Sequence, residues 1–313
     1  MTAIIGGLGA AILWATATLA SSRSSRMIGS RVVLAWVMIV GTIVGVPLAL
    51  VTDVPASVPP EAPILLLVAG LCYSGGLYSA YRALTVGKVS IVAPIIATEG
   101  GIAALIAVTL GDELAIGAAV LLAVIAAGVV LSSIEPARPD VPAGTIELAA
   151  DALDGPPDAG ALPAPGTLDP AEEARRTRHA VAFSLIAAAA FGVGLVASGK
   201  AALLVPPIWV ALAARVVGLV VVVLPLVLQR RLVVSRAALP LVVVAGVGEI
   251  LGSTLSAWGA TQSIAITAVL GSQFAAIAAV VAFLLFGERL SRSQVLGVIL
   301  IVGGVSALAA LST

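Results

Sequence analysis

Charged and aromatic side chains are scarce in this 313-residue chain: Asp, Glu, Lys and Arg together make up 10% of it and Phe, Trp and Tyr 4%. Soluble domains carry about a quarter charged residues, so this composition excludes an ordinary water-facing surface. The formal net charge is zero and no basic block occurs, which excludes a nucleic-acid partner. There is one cysteine, Cys72, and one histidine, His179. The first cannot close an intramolecular disulfide, and the pair is too small a set for a His/Cys metal site. A Gly-x-x-x-x-Gly-Lys-Ser/Thr loop is missing, which excludes ATP hydrolysis by this chain. Without a His/Asp/Glu cluster, or a nucleophile at useful spacing from a base, an enzyme is a poor reading and no cofactor is expected.

What fills the chain is apolar: 60% hydrophobic residues and a mean hydropathy of +1.18. Runs long enough to cross a bilayer fall at about 3–21, 32–52, 62–84, 89–110, 115–133, 180–199, 207–228, 238–259, 264–286 and 293–312. No positive charge precedes the first run, so it reads as a membrane helix and not as a cleaved leader. Between the fifth and sixth runs lies a stretch rich in Pro, Ala, Gly and acid, residues 135–178, too polar to bury a core of its own and expected to be a disordered linker.

The two flanking segments, 1–134 and 179–313, repeat each other. An offset of 177 places Pro63 on Pro240, Gly75 on Gly252, Ser79 on Ser256, Trp14 on Phe191, Ser21 on Ser198 and Gly41 on Gly218. After a one-residue slip Gly111 meets Gly287, Leu114 meets Leu290 and Gly128 meets Gly304. A duplicated unit with an odd number of spans must enter the membrane from opposite sides. The expected fold is therefore all-α, ten transmembrane helices in two inverted five-helix repeats. Basic residues crowd the loops after odd-numbered spans, at Arg23, Arg26, Arg31, Lys88, Arg138, Arg175, Arg176, Arg178, Arg230, Arg231, Arg236, Arg289 and Arg292, against Lys200 alone on the other side. The positive-inside rule then puts the linker in the cytoplasm and both termini outside.

Leu13-Trp14, then Ala20-Ser21-Ser22-Arg23, Tyr81-Arg82-Ala83-Leu84, Gly287-Glu288-Arg289-Leu290 and the Gly-rich stretch Gly297 to Gly304, on a duplicated five-span frame, resemble the EamA-type drug/metabolite transporters. The resemblance covers all ten spans. It implies a plasma (inner) membrane permease, more often an exporter, with a central substrate path for small metabolites or amphipathic compounds. The linker is longer than that family's usual connection, and the commoner family pattern has both termini inside.

Within the spans, ionised groups are expensive, at least ~2.5 kcal/mol for a charge at the helix centre, so each asks for a reason. Glu99 lies about ten residues from either end of its run. It reads as a group that takes up a proton or a substrate's cationic centre, or as a structural hydrogen-bond donor to a neighbouring helix. Arg215 and Glu249 sit about two turns into the seventh and eighth spans, and a structural ion pair is the first reading. An anion site or gating contact at Arg215 is the other. Tyr78 and Arg82 share a helix face and either line the pathway or anchor the helix end, as do Trp14 and Trp258. Glu249, Ser253 and Ser256 share a face of the eighth span, and Ser272 and Gln273 mark the ninth. Such polar groups face inward. The Gly41-x-x-x-Gly45 and Gly248-x-x-x-Gly252 spacings read as close helix contacts, and Asp112, Glu113 and Glu288 as caps at helix ends.

The leading function is a secondary carrier for a small-molecule substrate in the lipid bilayer, working by rocking of the two halves about a midplane site. A non-transporting receptor or assembly subunit that docks through its linker, and a lipid flippase, are the alternatives. A homodimer is an admissible assembly.

Overall fold

The structure is a computed structural model and describes residues 1–52, 58–86, 95–113, 115–133, 170–274, 277 and 292–311. Among these residues the chain is helical, with no strand. The helices are α1 (Thr2–Ile28), α2 (Ser30–Val51), α3 (Ala62–Val86), α4 (Glu99–Thr109) and α5 (Ile116–Ser133) in the first half. In the second half they are α6 (Pro170–Ala202), α7 (Pro207–Gly218), α8 (Leu239–Ala260), α9 (Ile264–Gly271) and α10 (Arg292–Leu311). α7 runs on through a π-helical turn, Leu219–Val223, into a last α-helical turn, Leu224–Leu228. Among the described residues six segments are long and apolar enough to cross a membrane: Thr2–Ser21, Ser30–Val51, Ala62–Ala80, Arg175–Ala202, Pro207–Leu228 and Leu239–Ala260.

Three boundaries differ from the sequence reading. α1 continues past its apolar run to Ile28 and carries Arg23 and Arg26 on helix, not loop. Gly29 stops it, at φ 84°, a left-handed conformation that favours glycine. α6 begins at Pro170, so the linker ends before Arg175, Arg176 and Arg178. Proline suits a first helical position. The rest of the linker, the Gly287–Leu290 motif, Lys88 and Leu114 lie outside the described residues.

The third difference is in the fourth and ninth spans, neither of which is one continuous helix. The chain turns at Ala97–Thr98, and α4 begins at Glu99. It turns again at Ser272–Gln273 after α9. Thr98 and Ser272 turn their hydroxyls back onto the carbonyls of Ile95 (2.7 Å) and Val269 (2.9 Å), local bonds that compete with the helix ladder. The two turns meet, since a Cβ on Gly100 would lie 2.6 Å from Ser272 Oγ and 2.8 Å from the Ala268 carbonyl.

Packing between the halves is reciprocal under the sequence offset. α1 packs along α8, and its counterpart α6 along α3; α2 packs on α8 and α7 on α3; α9 packs on α1 and α4 on α6. Counterparts also face each other directly, α2 on α7, α4 on α9 and α5 on α10. The glycines mark the closest approaches. A Cβ on Gly41 would meet the Arg215 side chain at 3.2 Å, and one on its counterpart Gly218 would meet Met38 Sδ at 2.6 Å. Likewise Gly128 abuts Ile301, and Gly304 abuts Ile125.

The apolar core is not symmetric from end to end. At the end that holds Met1, termed here the N-terminal face, one cluster joins Ile4 of α1, Ala103 of α4, Leu122 of α5, Val196 of α6, Ala260 of α8 and Leu270 of α9. A second joins Ala62 of α3, Ala201 of α6, Val210 of α7 and Ala257 of α8. At the opposite end, the linker face, the core divides. Among the described residues Ala20, Val33, Val37, Val242 and Ala245 from α1, α2 and α8 form one cluster, Ala83 with Ala180, Ile96 and Phe183 forms another, and Ala35, Met38 and Val223 with Tyr73 and Leu77 join α2 to α7 and α3.

Candidate functional site

The middle of the bundle holds one charged network. Arg215, on α7, is wholly buried, and its Nη2 donates to Glu249 Oε2 at 3.1 Å, to the Glu249 carbonyl at 3.2 Å and to Ser253 Oγ at 2.8 Å. Nη1 donates to Met38 Sδ at 3.7 Å. Tyr73 of α3 donates its hydroxyl to Glu249 Oε2 at 3.0 Å, and its ring lies 5.1 Å from the guanidinium carbon. Tyr73 also meets Phe191 edge to face at 6.2 Å. Removing an arginine from water this far is compensated only where charge and hydrogen bonds are both met. Here both are met except at Nε, which has no hydrogen-bond partner among the described residues.

Glu249 is not sealed: its side chain keeps 22% exposure where that of Arg215 has none. Glu99 sits in the first turn of α4 at 9% exposure. Its carboxylate interacts electrostatically with Glu249, and among the described residues no hydrogen bond reaches it. The expectation of Glu99 in mid-helix is therefore corrected. It stands at a helix N-terminus, where the backbone dipole favours a negative charge, just after a turn in the middle of an apolar run. The physical cause lies beside it: the Gly100-Gly101 pair and Thr98 are weak helix formers.

The paired turn on α9 completes the surroundings. Gln273 is fully buried; its Nε2 donates to the Val269 carbonyl at 2.8 Å, and among the described residues its Oε1 accepts nothing. Next to it, Phe274 meets Trp14 edge to face at 6.5 Å. Trp14 lies over Gly271 and Gly252, where a Cβ would come within 3.2 Å and 2.8 Å of the indole. The Gly271–Phe274 turn is thus held between Trp14 on one side and Gly100 beside Glu99 on the other.

Of the sequence candidates, Glu99, Arg215, Glu249, Trp14 and Gln273 come to this central region, and Ser256 is buried one turn along α8 from Ser253. Tyr78 and Trp258 do not join it. They are 60% and 40% exposed, and among the described residues no hydrogen bond or ring contact holds either side chain, which fits the anchoring alternative for each. Arg82 lies exposed at the end of α3, its guanidinium carbon 6.0 Å from the Phe183 ring. Sequence reasoning missed Tyr73 and Met38. A signal was present, since Met38 is the 177 counterpart of Arg215 and Tyr73 stands 176 positions before Glu249.

On the N-terminal face the contacts are of another kind. Asp112, just after α4, accepts from the Ala265 backbone N–H at 2.9 Å and from Ser263 Oγ at 3.1 Å, and so caps the start of α9 together with the Ser263 hydroxyl. Gln262 Oε1 accepts from the N-terminal ammonium at 3.2 Å and from the Ala3 N–H at 2.9 Å. Gly6 and Gly259 bring α1 and α8 together backbone to backbone, 2.5 Å from a Cβ on Gly6 to the Gly259 Cα.

No curated protein matches the chain. A solved structure described as "Crystal structure of protein" shares the fold, with a TM-score of 0.73 at 17% identity over 99% of this chain and 96% of its own. The sequence comparison is the more specific marker: residues 1–134 match the model of the EamA-like transporter family, to which this part of the chain is similar.

Proposed function

We propose that the whole chain is a secondary carrier of small molecules, built as two inverted five-helix repeats around a midplane site between them. The observation that carries this reading is the pair of broken helices. Corresponding spans in the two halves both open into turns at the same depth, and the turns abut at Gly100 and Ser272. Backbone interrupted in mid-membrane is tolerated only where protein or a water-filled path receives it, and carriers bind substrate at such breaks. The reciprocal packing supports the inverted repeat, since the start of α1 lies with the end of α8 and the start of α3 with the end of α6.

Glu99 and Gln273 are the groups with unspent hydrogen-bonding capacity at those turns, and Trp14 with Phe274 supplies an aromatic wall. Arg215 is committed to Glu249, Ser253 and Met38, which argues for a structural role and against an anion site. With Arg215 matched to Glu249, Glu99 is the carboxylate left to take a proton or a cationic centre, and competition between the two on one group would couple their movements. The family resemblance points to export, and the basic-residue asymmetry to a cytoplasmic linker in the plasma membrane.

Flux in proteoliposomes tests the reading. Purified protein is offered amino acids, sugars, nucleosides and cationic amphiphiles with and without a pH gradient. Saturable flux of at least one class, abolished or uncoupled from pH in Glu99→Gln, is expected. Flux with unchanged rate and pH dependence in Glu99→Gln would remove Glu99 from the mechanism, and no flux of any class would favour a docking or assembly role.

A further inference from the structure

We propose that the parts that move against each other are not the two sequence halves but two mixed bundles, α1–α2–α8–α9 and α3–α4–α6–α7, hinged along α2–α7 and closed in this structure at the N-terminal face. The inference rests on the carrier reading and changes what rocks within it.

Three observations lead to it. First, the most extensive helix contacts join different halves, α1 with α8 and α3 with α6, while α1 makes no extended contact with α3, α4, α6 or α7 among the described residues. Second, the core divides along the same line. Among the described residues, at the linker face one cluster is drawn from α1, α2 and α8 and another from the end of α3 and the start of α6, with Ile96, while the cluster that joins the two sets there, Ala35 and Met38 of α2 with Val223 and Tyr73, lies along the α2–α7 contact. At the N-terminal face the two sets fuse, through Val196 and Ala260 in one cluster and Ala201 and Ala257 in the next. Third, the bundles are exchanged by the repeat relation, since α1, α2, α8 and α9 correspond in turn to α6, α7, α3 and α4.

That exchange sorts the contacts between bundles. In an inverted-repeat carrier the second state is the first with the roles of the repeats interchanged. A contact between a residue and its own counterpart is mapped onto itself and persists. Met38–Arg215 is such a contact, and the reciprocal couple Gly41–Arg215 and Met38–Gly218 behaves in the same way. Tyr73–Glu249 lies one residue from that condition. These mark the hinge. The contact of Asp112, after α4, with Ser263 and Ala265 at the start of α9 joins the two bundles away from the hinge. So does the approach of Gly199 on α6 to Ala260 and Ile264, with a Cβ at 3.1 Å and 2.7 Å. These must part when the N-terminal face opens.

Two cross-links read the difference. A Cβ on Gly194 of α6 would lie 3.2 Å from the Cβ of Cys72 on α3, close to disulfide geometry. Gly194→Cys therefore ties the first half to the second inside one bundle, using the native cysteine. Asp112→Cys with Ser263→Cys, in a Cys72→Ala background, ties the two bundles across the N-terminal face. Each protein is oxidised in proteoliposomes, bond formation is checked by mass spectrometry, and flux is compared with the same protein after reduction. For oxidised Gly194→Cys the expected result is flux within about twofold of the reduced control, and for the Asp112–Ser263 pair a loss of about tenfold or more, reversed by reductant. Arrest by the bond within the bundle in Gly194→Cys, or free flux through the Asp112–Ser263 bond, overturns the proposal.

Loss of flux in the reduced controls and in the unmodified protein would count against the carrier reading instead. Electron–electron distance measurements then decide the bundles without any substrate. Spin labels at Met27 of α1 and Leu239 of α8, both exposed, share a bundle and should give one distance whether or not the Asp112–Ser263 bond is closed. Labels at Met27 and exposed His179 of α6 span the bundles and should gain a shorter component once that bond is reduced. The same distribution for both pairs overturns the proposal, as does a change confined to Met27–Leu239.

Discussion

Met38 and Arg215 occupy equivalent places in the two halves of the chain and touch each other, Nη1 of the arginine donating to the thioether sulfur at 3.7 Å. One half contributes a soft, uncharged side chain and the other a cation, so a pseudo-symmetric pair avoids placing two like charges together on its own axis. Glu249 repeats the arrangement, with the tyrosine 176 positions before it as its hydrogen-bond donor.

Arg215→Met leaves Glu249 partly buried against Tyr73 without its cation. Breaking one side of a buried pair costs about 3–5 kcal/mol, and a marked fall in the detergent-solubilised unfolding temperature is expected. Arg215→Met with Glu249→Leu removes both charges and should recover most of that loss. A double variant no more stable than the single one would show that the pair is not the main role of Arg215.

Glu99→Gln keeps the shape of the side chain and removes the charge. Because no protein hydrogen bond reaches the Glu99 carboxylate among the described residues, its unfolding temperature should stay near that of the parent while pH-dependent flux disappears. A large stability loss with flux per folded molecule unchanged would assign Glu99 to the scaffold.

Gly6→Ala forces a methyl group to within 2.5 Å of the Gly259 Cα, backbone that cannot swing aside. Overpacking of this kind costs about 1–3 kcal/mol. Gly101→Ala has nothing within 4 Å of its new Cβ and should gain slightly in helix propensity. Parallel thermal unfolding of the two variants checks the contrast.

Asp112→Ala removes the acceptor of the Ala265 N–H, a capping loss of about 1 kcal/mol, and Asp112→Asn should retain part of it. The expected readout is a lower unfolding temperature for Ala than for Asn. Equal values would mean that Ser263 alone caps α9.

The apolar runs made the helices legible because bilayer length and hydropathy leave few other readings, and the offset between halves made their counterparts legible. The Arg215–Glu249 pair followed from the cost of an unmatched arginine at that depth. The breaks after Thr98 and Ser272 did not, because the apolar run passes straight through both positions and hydropathy is blind to a hydroxyl that bonds its own backbone. Tyr73 was hidden by a one-residue slip: at 177 Glu249 falls opposite Cys72, and only at 176 does the tyrosine meet it. Which helices pack with which is a tertiary fact that neither half contains alone, so the mixed bundles have no signature in either.

The π-helical turn Leu219–Val223 sits where the register between the two halves changes. Before it, Gly41 matches Gly218 at an offset of 177; after it, Pro47 matches Pro225 at 178, so the register between the two segments slips by one residue across the turn. Inserted into an ordinary α-helix, one residue would rotate everything beyond it by about 100° and carry the buried stripe into lipid. A widened turn swallows the extra residue instead, and Val223 stays buried with Ala35 and Met38. The one-residue slip is taken up as a local swelling in a helix whose far end still packs against α2.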